Sequence, residues 1–170
     1  MKDDDLCDEL TFSGIFKKYS KELYQYFYYR YGGDCNIEDF IQDAYTKLWH
    51  KCSQVTASKV RAYLYTSVRN MILNDMAHKK VVLKYQQQSK HIETSSYHPS
   101  YFEEDNMYVK QLQKALESLS EEQRVTFLLN RIEGKKFKEI AEIMGISPKA
   151  VEKRVYTAFK KIKKQISNDK

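Results

Sequence analysis

Between residues 149 and 164 seven lysines and arginines stand against one acid, Glu152. Projected on a helix, Lys149, Lys153, Tyr156, Lys160 and Lys164 fall on one side, with Val151, Val155, Ala158, Ile162 and Ile166 on the other. Such a cationic face can neutralise phosphates and reach base edges in a major groove, and Lys149, Lys153 and Tyr156, near the amino end, are best placed to touch bases. A second polar row, Lys59, Tyr63, Thr66, Asn70 and Asn74, recurs at helical spacing, with Arg61, Arg69, Lys79 and Lys80 nearby. An aromatic, two amides and cations suit unpaired bases, although the row reads equally well as a wet helix face. A third group, Asp39, Gln42 and Asp43 beside Glu38, is acidic within a basic chain. It repels nucleic acid and serves either solubility or docking to a basic protein.

Helices must position these groups. Phe12, Ile15, Phe16, Tyr19, Leu23, Tyr26 and Phe27 recur every three or four residues and predict a helix from Thr11 to Tyr31, ended by Gly32-Gly33. A second helix is expected from after Asn36 to about His50, with Ile37, Phe40, Ile41, Ala44, Tyr45, Leu48 and Trp49 buried. A third is expected over roughly Ser58 to His78, burying Leu64, Tyr65, Val68, Met71, Ile72 and Met76. From residue 81 to about 106 periodicity is lost in a Gln/Ser/His/Tyr-rich stretch that reads as a linker. Beyond it, Leu112, Ala115, Leu116 and Leu119 mark a further helix, and Ser120-Glu121-Glu122-Gln123 is a capping box that opens the next. Ile140-Ala141, Gly145-Ile146 and Val151 then carry the spacing of a helix-turn-helix, with Gly145 at the turn, Ser147 as cap and Pro148 in the first helical position. The expected fold is all-α, with a helical domain at 1–80, a flexible linker at 81–106 and a helix-turn-helix domain at 107–170.

With 170 residues the chain fits one ordinary or two small domains and is too short for an α/β barrel enzyme. Its formal charge of +6 is concentrated in residues 107–170, which carry a net +7. That asymmetry points to a polyanion, most simply nucleic acid, although an anionic membrane surface answers the same electrostatics. No Gly-rich phosphate loop, nucleophile elbow or HExxH motif occurs, so the chain is read as a non-enzyme without cofactor or small-molecule substrate. Cys7, Cys35 and Cys52 are odd in number and widely spaced, which predicts neither a disulfide framework nor a zinc site, and His50 adds no standard metal pattern. The acidic start, Met1-Lys2-Asp3-Asp4-Asp5, is unlike a signal peptide, and a reducing cytoplasm is the expected compartment. The tyrosines at 24, 26, 28, 29 and 31 are assigned to packing or a protein contact.

Three segments together resemble the extracytoplasmic-function sigma factors, the small two-domain members of the bacterial sigma superfamily. Ile37-Glu38-Asp39-Phe40-Ile41-Gln42-Asp43-Ala44-Tyr45-Thr46-Lys47-Leu48-Trp49 resembles the family's second conserved segment. Arg61-Ala62-Tyr63-Leu64-Tyr65-Thr66-Ser67-Val68-Arg69-Asn70 resembles its promoter-melting segment. Ser118 to Arg124, with Ile140 to Val151, resembles its fourth region. The resemblance implies a transcription initiation factor that binds core RNA polymerase, directs it to promoters and promotes melting. Asp39, Gln42 and Asp43 would contact the β′ clamp helices, and the second domain the β flap. The third helix and the loop from Lys51 to Ala57 would hold the minus-ten element as a single strand with a flipped base in the loop. Lys149, Lys153, Arg154, Tyr156, Thr157 and Lys160 would engage the minus-thirty-five duplex. An anti-sigma factor is a further partner implied by the family. The chain departs from the pattern at Tyr63, where tryptophan is frequent, at Ser67-Val68, and at Glu152 and Thr157, where basic residues are common. The competing reading is a stand-alone helix-turn-helix regulator that acts without polymerase.

Overall fold

In the computed structural model, which describes residues 6–32, 35–87 and 107–168, every regular element is helical among the described residues. The order is α1 (Glu9–Tyr31), α2 (Ile37–His50), a 3-10 turn (Ala57–Lys59), α3 (Val60–Gln87), α4 (Met107–Glu117), α5 (Glu121–Arg131), α6 (Phe137–Met144) and α7 (Pro148–Asn168). Two compact units result, one from Met1–Phe27 with Cys35–Tyr97, the other from Tyr28–Asp34 with His98–Lys170.

The first unit is held by one apolar face from each of three helices. Leu23 and Phe27 of α1, Leu48 of α2, and Leu64, Val68 and Ile72 of α3 are at most 1% exposed. The expected stripes on α2 and α3 are buried at Ile37, Ile41, Ala44, Tyr45 and Leu48, and at Leu64, Val68 and Ile72. Their edges are not. Trp49 of α2 and Met76 of α3, at the borders of their stripes, are 41% and 46% exposed, and Phe16 of α1 is 45% exposed with its ring against Tyr45 at 4.8 Å between centroids. Trp49 instead packs edge-on against Phe12, with ring centroids 4.9 Å apart.

Two expectations fail in this unit. The third helix does not stop near His78 but continues to Gln87, because residues 79–87 contain neither Gly nor Pro to end it. From residue 88 to 106 the expected linker lies outside the described residues. The cysteines, expected to be unpaired, include a disulfide between Cys7 and Cys52. Sequence separation of 45 residues concealed it, because spacing carries no information on which loop ends the fold brings together.

The second unit is built on α4 to α7. Ala115, Leu116 and Leu119, Val125, Leu128 and Leu129, Ile140 and Ala141, and Val151, Val155, Ala158 and Ile162 form its core. The capping box is present: the Gln123 N–H donates to Ser120 Oγ and the Ser120 N–H to Gln123 Oε1. Gly145 ends α6 at φ 66°, its N–H bonded to the Ala141 carbonyl, so the chain turns within one residue. Ser147 then caps α7 by accepting from the Ala150 N–H at 3.2 Å. A Cβ on Gly145 would meet nothing within 4 Å, so only the left-handed backbone opposes a side chain there. Gly145→Ala is therefore expected to lower unfolding free energy by about 1 to 2 kcal/mol. Ser120→Ala should cost about 1 kcal/mol. Urea unfolding of the full chain, followed by helical circular dichroism, measures both.

Candidate nucleic-acid interface

On α3 the helical period separates two sets of side chains. Because Leu64, Val68 and Ile72 are buried, Tyr63, Thr66, Ser67 and Asn70 lie toward the opposite side. Lys59, Ala62, Tyr63, Thr66 and Ser67 line a cavity of about 400 Å³ whose remaining wall is Gln54 and Val55 from the loop after α2. Its lining joins an apolar floor and one aromatic ring to hydroxyl, amide and ammonium groups. That combination suits a flat heterocycle with polar edges.

Three of the row predicted from sequence, Lys59, Tyr63 and Thr66, thus meet in one cavity. Asn70, Asn74 and Arg69 continue along α3 as exposed side chains. Lys79 pairs with Asp75 at 2.9 Å while Lys80 is exposed. Arg61 behaves differently. Its guanidinium bonds Glu22 at 2.7 Å, and the Tyr65 hydroxyl donates to the same carboxylate oxygen at 3.0 Å. Burial and the Glu22 charge raise the Tyr65 hydroxyl far above its usual value, so it stays protonated as a donor. Arg61 accordingly braces α3 against α1. Sequence reasoning passed over Ala62 and Ser67, although their spacing at i+3 and i+8 from Lys59 marks them as neighbours of the same row.

On α2, Glu38, Asp39, Gln42 and Asp43 are all exposed. Among the described residues no cation pairs with Asp39 or Asp43, so the acidic face is open to an outside partner.

In the second unit the buried stripe of α7 turns Lys149, Lys153, Tyr156 and Lys160 outward, and Tyr156 is 61% exposed. Lys149 bonds Glu152 at 2.8 Å, an ion pair that raises the lysine pKa. Thr157 is half-buried and donates to the Lys153 carbonyl at 2.8 Å. Arg154, grouped with the outer residues at first, is drawn to Glu122 of α5 at 2.6 Å. Its position three residues after Val151 and four before Ala158 borders the buried stripe, which brings it within reach of α5.

Among the described residues no group of three His, Cys, Asp or Glu could hold a metal ion, and Cys52 is joined to Cys7. No described helix is long and apolar enough to cross a membrane.

Residues 15–81 match the family model of Sigma-70 region 2, and residues 110–162 match that of Sigma-70 region 4. The first match falls on α1 to α3 and the second on α4 to α7. Among solved structures, the chain is similar to the sigma factor RpoE in complex with the anti-sigma factor NepR from Bartonella quintana. That likeness is at 22% identity and a TM-score of 0.54, covering 94% of this chain and 98% of that one. A second, weaker likeness is to the RsbN–BldN complex, at 20% identity and a TM-score of 0.33 over 90% and 89% of the two chains. No curated protein matches the sequence. Two region models matched in order, together over more than half of the chain, show that it belongs to the sigma-70 family in its two-region, extracytoplasmic-function form, the sigma factors of transcription initiation.

Proposed function

We propose that this sigma factor docks on core RNA polymerase through Asp39, Gln42 and Asp43 and opens promoters by trapping a base in the cavity beside Tyr63. The observation that carries the reading is that cavity: an aromatic ring, a hydroxyl and an ammonium converge where the exposed side of α3 meets the loop after α2. Opening needs no nucleotide hydrolysis by this chain, because a captured base contributes stacking of about 1 to 3 kcal/mol against an unstacking cost of a few kcal/mol. The exposed amides of Asn70 and Asn74 extend the track for the same strand, and Arg69 and Lys80 supply cations for its phosphates.

Duplex recognition upstream falls to α7. Lys149, Lys153, Tyr156 and Lys160 face outward, whereas Arg154 supports the helix through Glu122 and contributes little direct contact. Glu152, holding Lys149, is suited to accept from a cytosine amino group or to reject sites lacking one. An anti-sigma factor, such as the one bound to the RpoE of similar fold, completes the partner set. The cytoplasm, where the polymerase works, is the proposed compartment.

Run-off transcription with purified core polymerase tests this function, and absence of transcripts on a promoter library would refute it. Tyr63→Ala or Asn70→Ala should lower open-complex formation about tenfold, a loss of one stacking or hydrogen-bonding contact, while leaving polymerase affinity within about twofold. Asp39→Lys together with Asp43→Lys should weaken polymerase binding by at least about tenfold, with the loss shrinking at high salt. Lys153→Ala should reduce binding of promoter DNA by the holoenzyme and flatten its salt dependence by about one unit of slope. Permanganate footprinting, fluorescence anisotropy on labelled polymerase and salt-titrated filter binding measure the three in turn.

A further inference from the structure

The loop that walls the base cavity is weakly held by its own backbone. Hydrogen bonds from the N–H groups of Lys51, Cys52, Gln54 and Val55 reach no farther than Leu48, Trp49 and Lys51. Lys51, Ser53 and Gln54 are exposed. The bond from Cys52 to Cys7 joins this loop to the segment that leads into α1. Cys7 itself sits on firm ground. Leu6 before it is 3% exposed, and Asp8 after it accepts from the Thr11 N–H at 2.8 Å, fixing the first turn of α1. Cys52 in turn lies two residues before Gln54 and three before Val55, the loop's contribution to the cavity.

We propose that Cys7 and Cys52 form a reversible thiol–disulfide switch that sets how well the cavity captures a base. The inference rests on the base-trapping role assigned above. In the oxidised chain the bond fixes the loop in the shape that closes the cavity, so base capture has less ordering to overcome. On reduction, a low-molecular-weight thiolate attacks one sulfur to form a mixed disulfide, and a second thiol displaces the protein sulfur. Two external thiols become one external disulfide, and the two electrons and two protons they give up appear as the thiols of Cys7 and Cys52. External disulfide reverses the exchange by the same route. Both cysteines are only half-buried, and Asp8 beside the first and Lys51 and Ser53 beside the second are exposed, so the bond is open to such reagents. Neither cysteine is among the buried core residues such as Leu23, Phe27, Leu48, Leu64 and Val68, so reduction is expected to act first on the loop.

The test uses the full chain, oxidised or reduced with dithiothreitol and then desalted before core polymerase is added. Alkylation read by mass spectrometry should show the oxidised chain taking up two fewer groups than the reduced one. Open-complex formation on duplex promoter should fall about three- to tenfold on reduction, with polymerase affinity unchanged, as expected when a pre-ordered loop is released. Cys7→Ser and Cys52→Ser should each sit at the reduced level and ignore thiol, whereas Cys35→Ser should still switch; matched helical circular dichroism confirms that the variants fold. Equal transcript yield from the oxidised and reduced wild type overturns the switch and leaves the base-trapping role standing. Equal alkylation, or thiol sensitivity persisting in Cys7→Ser, also overturns it. No transcripts in either state would remove the base-trapping role and the switch together.

Discussion

A helix can bury only one side, and in this chain that constraint decides what every functional surface presents. Leu64, Val68 and Ile72 sink into the first core, and their burial obliges Tyr63, Thr66, Ser67 and Asn70 to look outward from the same turns of α3. The same logic operates on α7, where burial of Val151, Val155, Ala158 and Ile162 leaves Lys149, Lys153, Tyr156 and Lys160 facing solvent. Were either apolar stripe displaced by one residue, the whole set of outward groups would rotate by about 100° around the helix axis. Core packing and the outward placement of these rows are two consequences of one periodicity.

Charge is distributed with the same economy. Not every cation on α3 and α7 lacks an internal partner: Arg61 pairs with Glu22 and Arg154 with Glu122. Both arginines are about three-quarters buried, at 23% and 26% exposure, where a planar fork can brace two helices better than a lysine ammonium could. The lysines, with long flexible stems, occupy the outer rows and remain exposed at 59, 80, 153 and 160. A positive surface is thereby separated from the ion pairs that hold its scaffold together. The acidic row of α2 belongs to the first unit, whereas the excess of positive charge belongs to residues 107–170.

The cavity shows how a loop and a helix divide a task. Lys59, Ala62, Tyr63, Thr66 and Ser67 come from regular structure, whose geometry is set by the core. Gln54 and Val55 come from the loop after α2, where the N–H groups of both bond the Lys51 carbonyl. Small side chains matter as much as polar ones here, since Ala62 and Ser67 leave the space that larger residues would fill.

Helix positions, the capped turn at Gly145 and the outward row of α7 were legible in the amino-acid order, because each follows from contacts between residues at most a few positions apart. From periodicity the row on α3 was legible as a row; only the family resemblance set it beside the loop after α2, and only the structure showed the cavity between them. Periodicity assigns side chains to faces and says nothing of what stands opposite. Likewise, charge and spacing placed Arg154 among the outer cations and left Cys7 and Cys52 apart. Only the assembled fold brought Glu122 to the first and joined the second pair. The local sequence determined which way each helix faces; the tertiary structure alone decided who meets whom across the chain, since that depends on the packing of distant segments that no short-range pattern encodes.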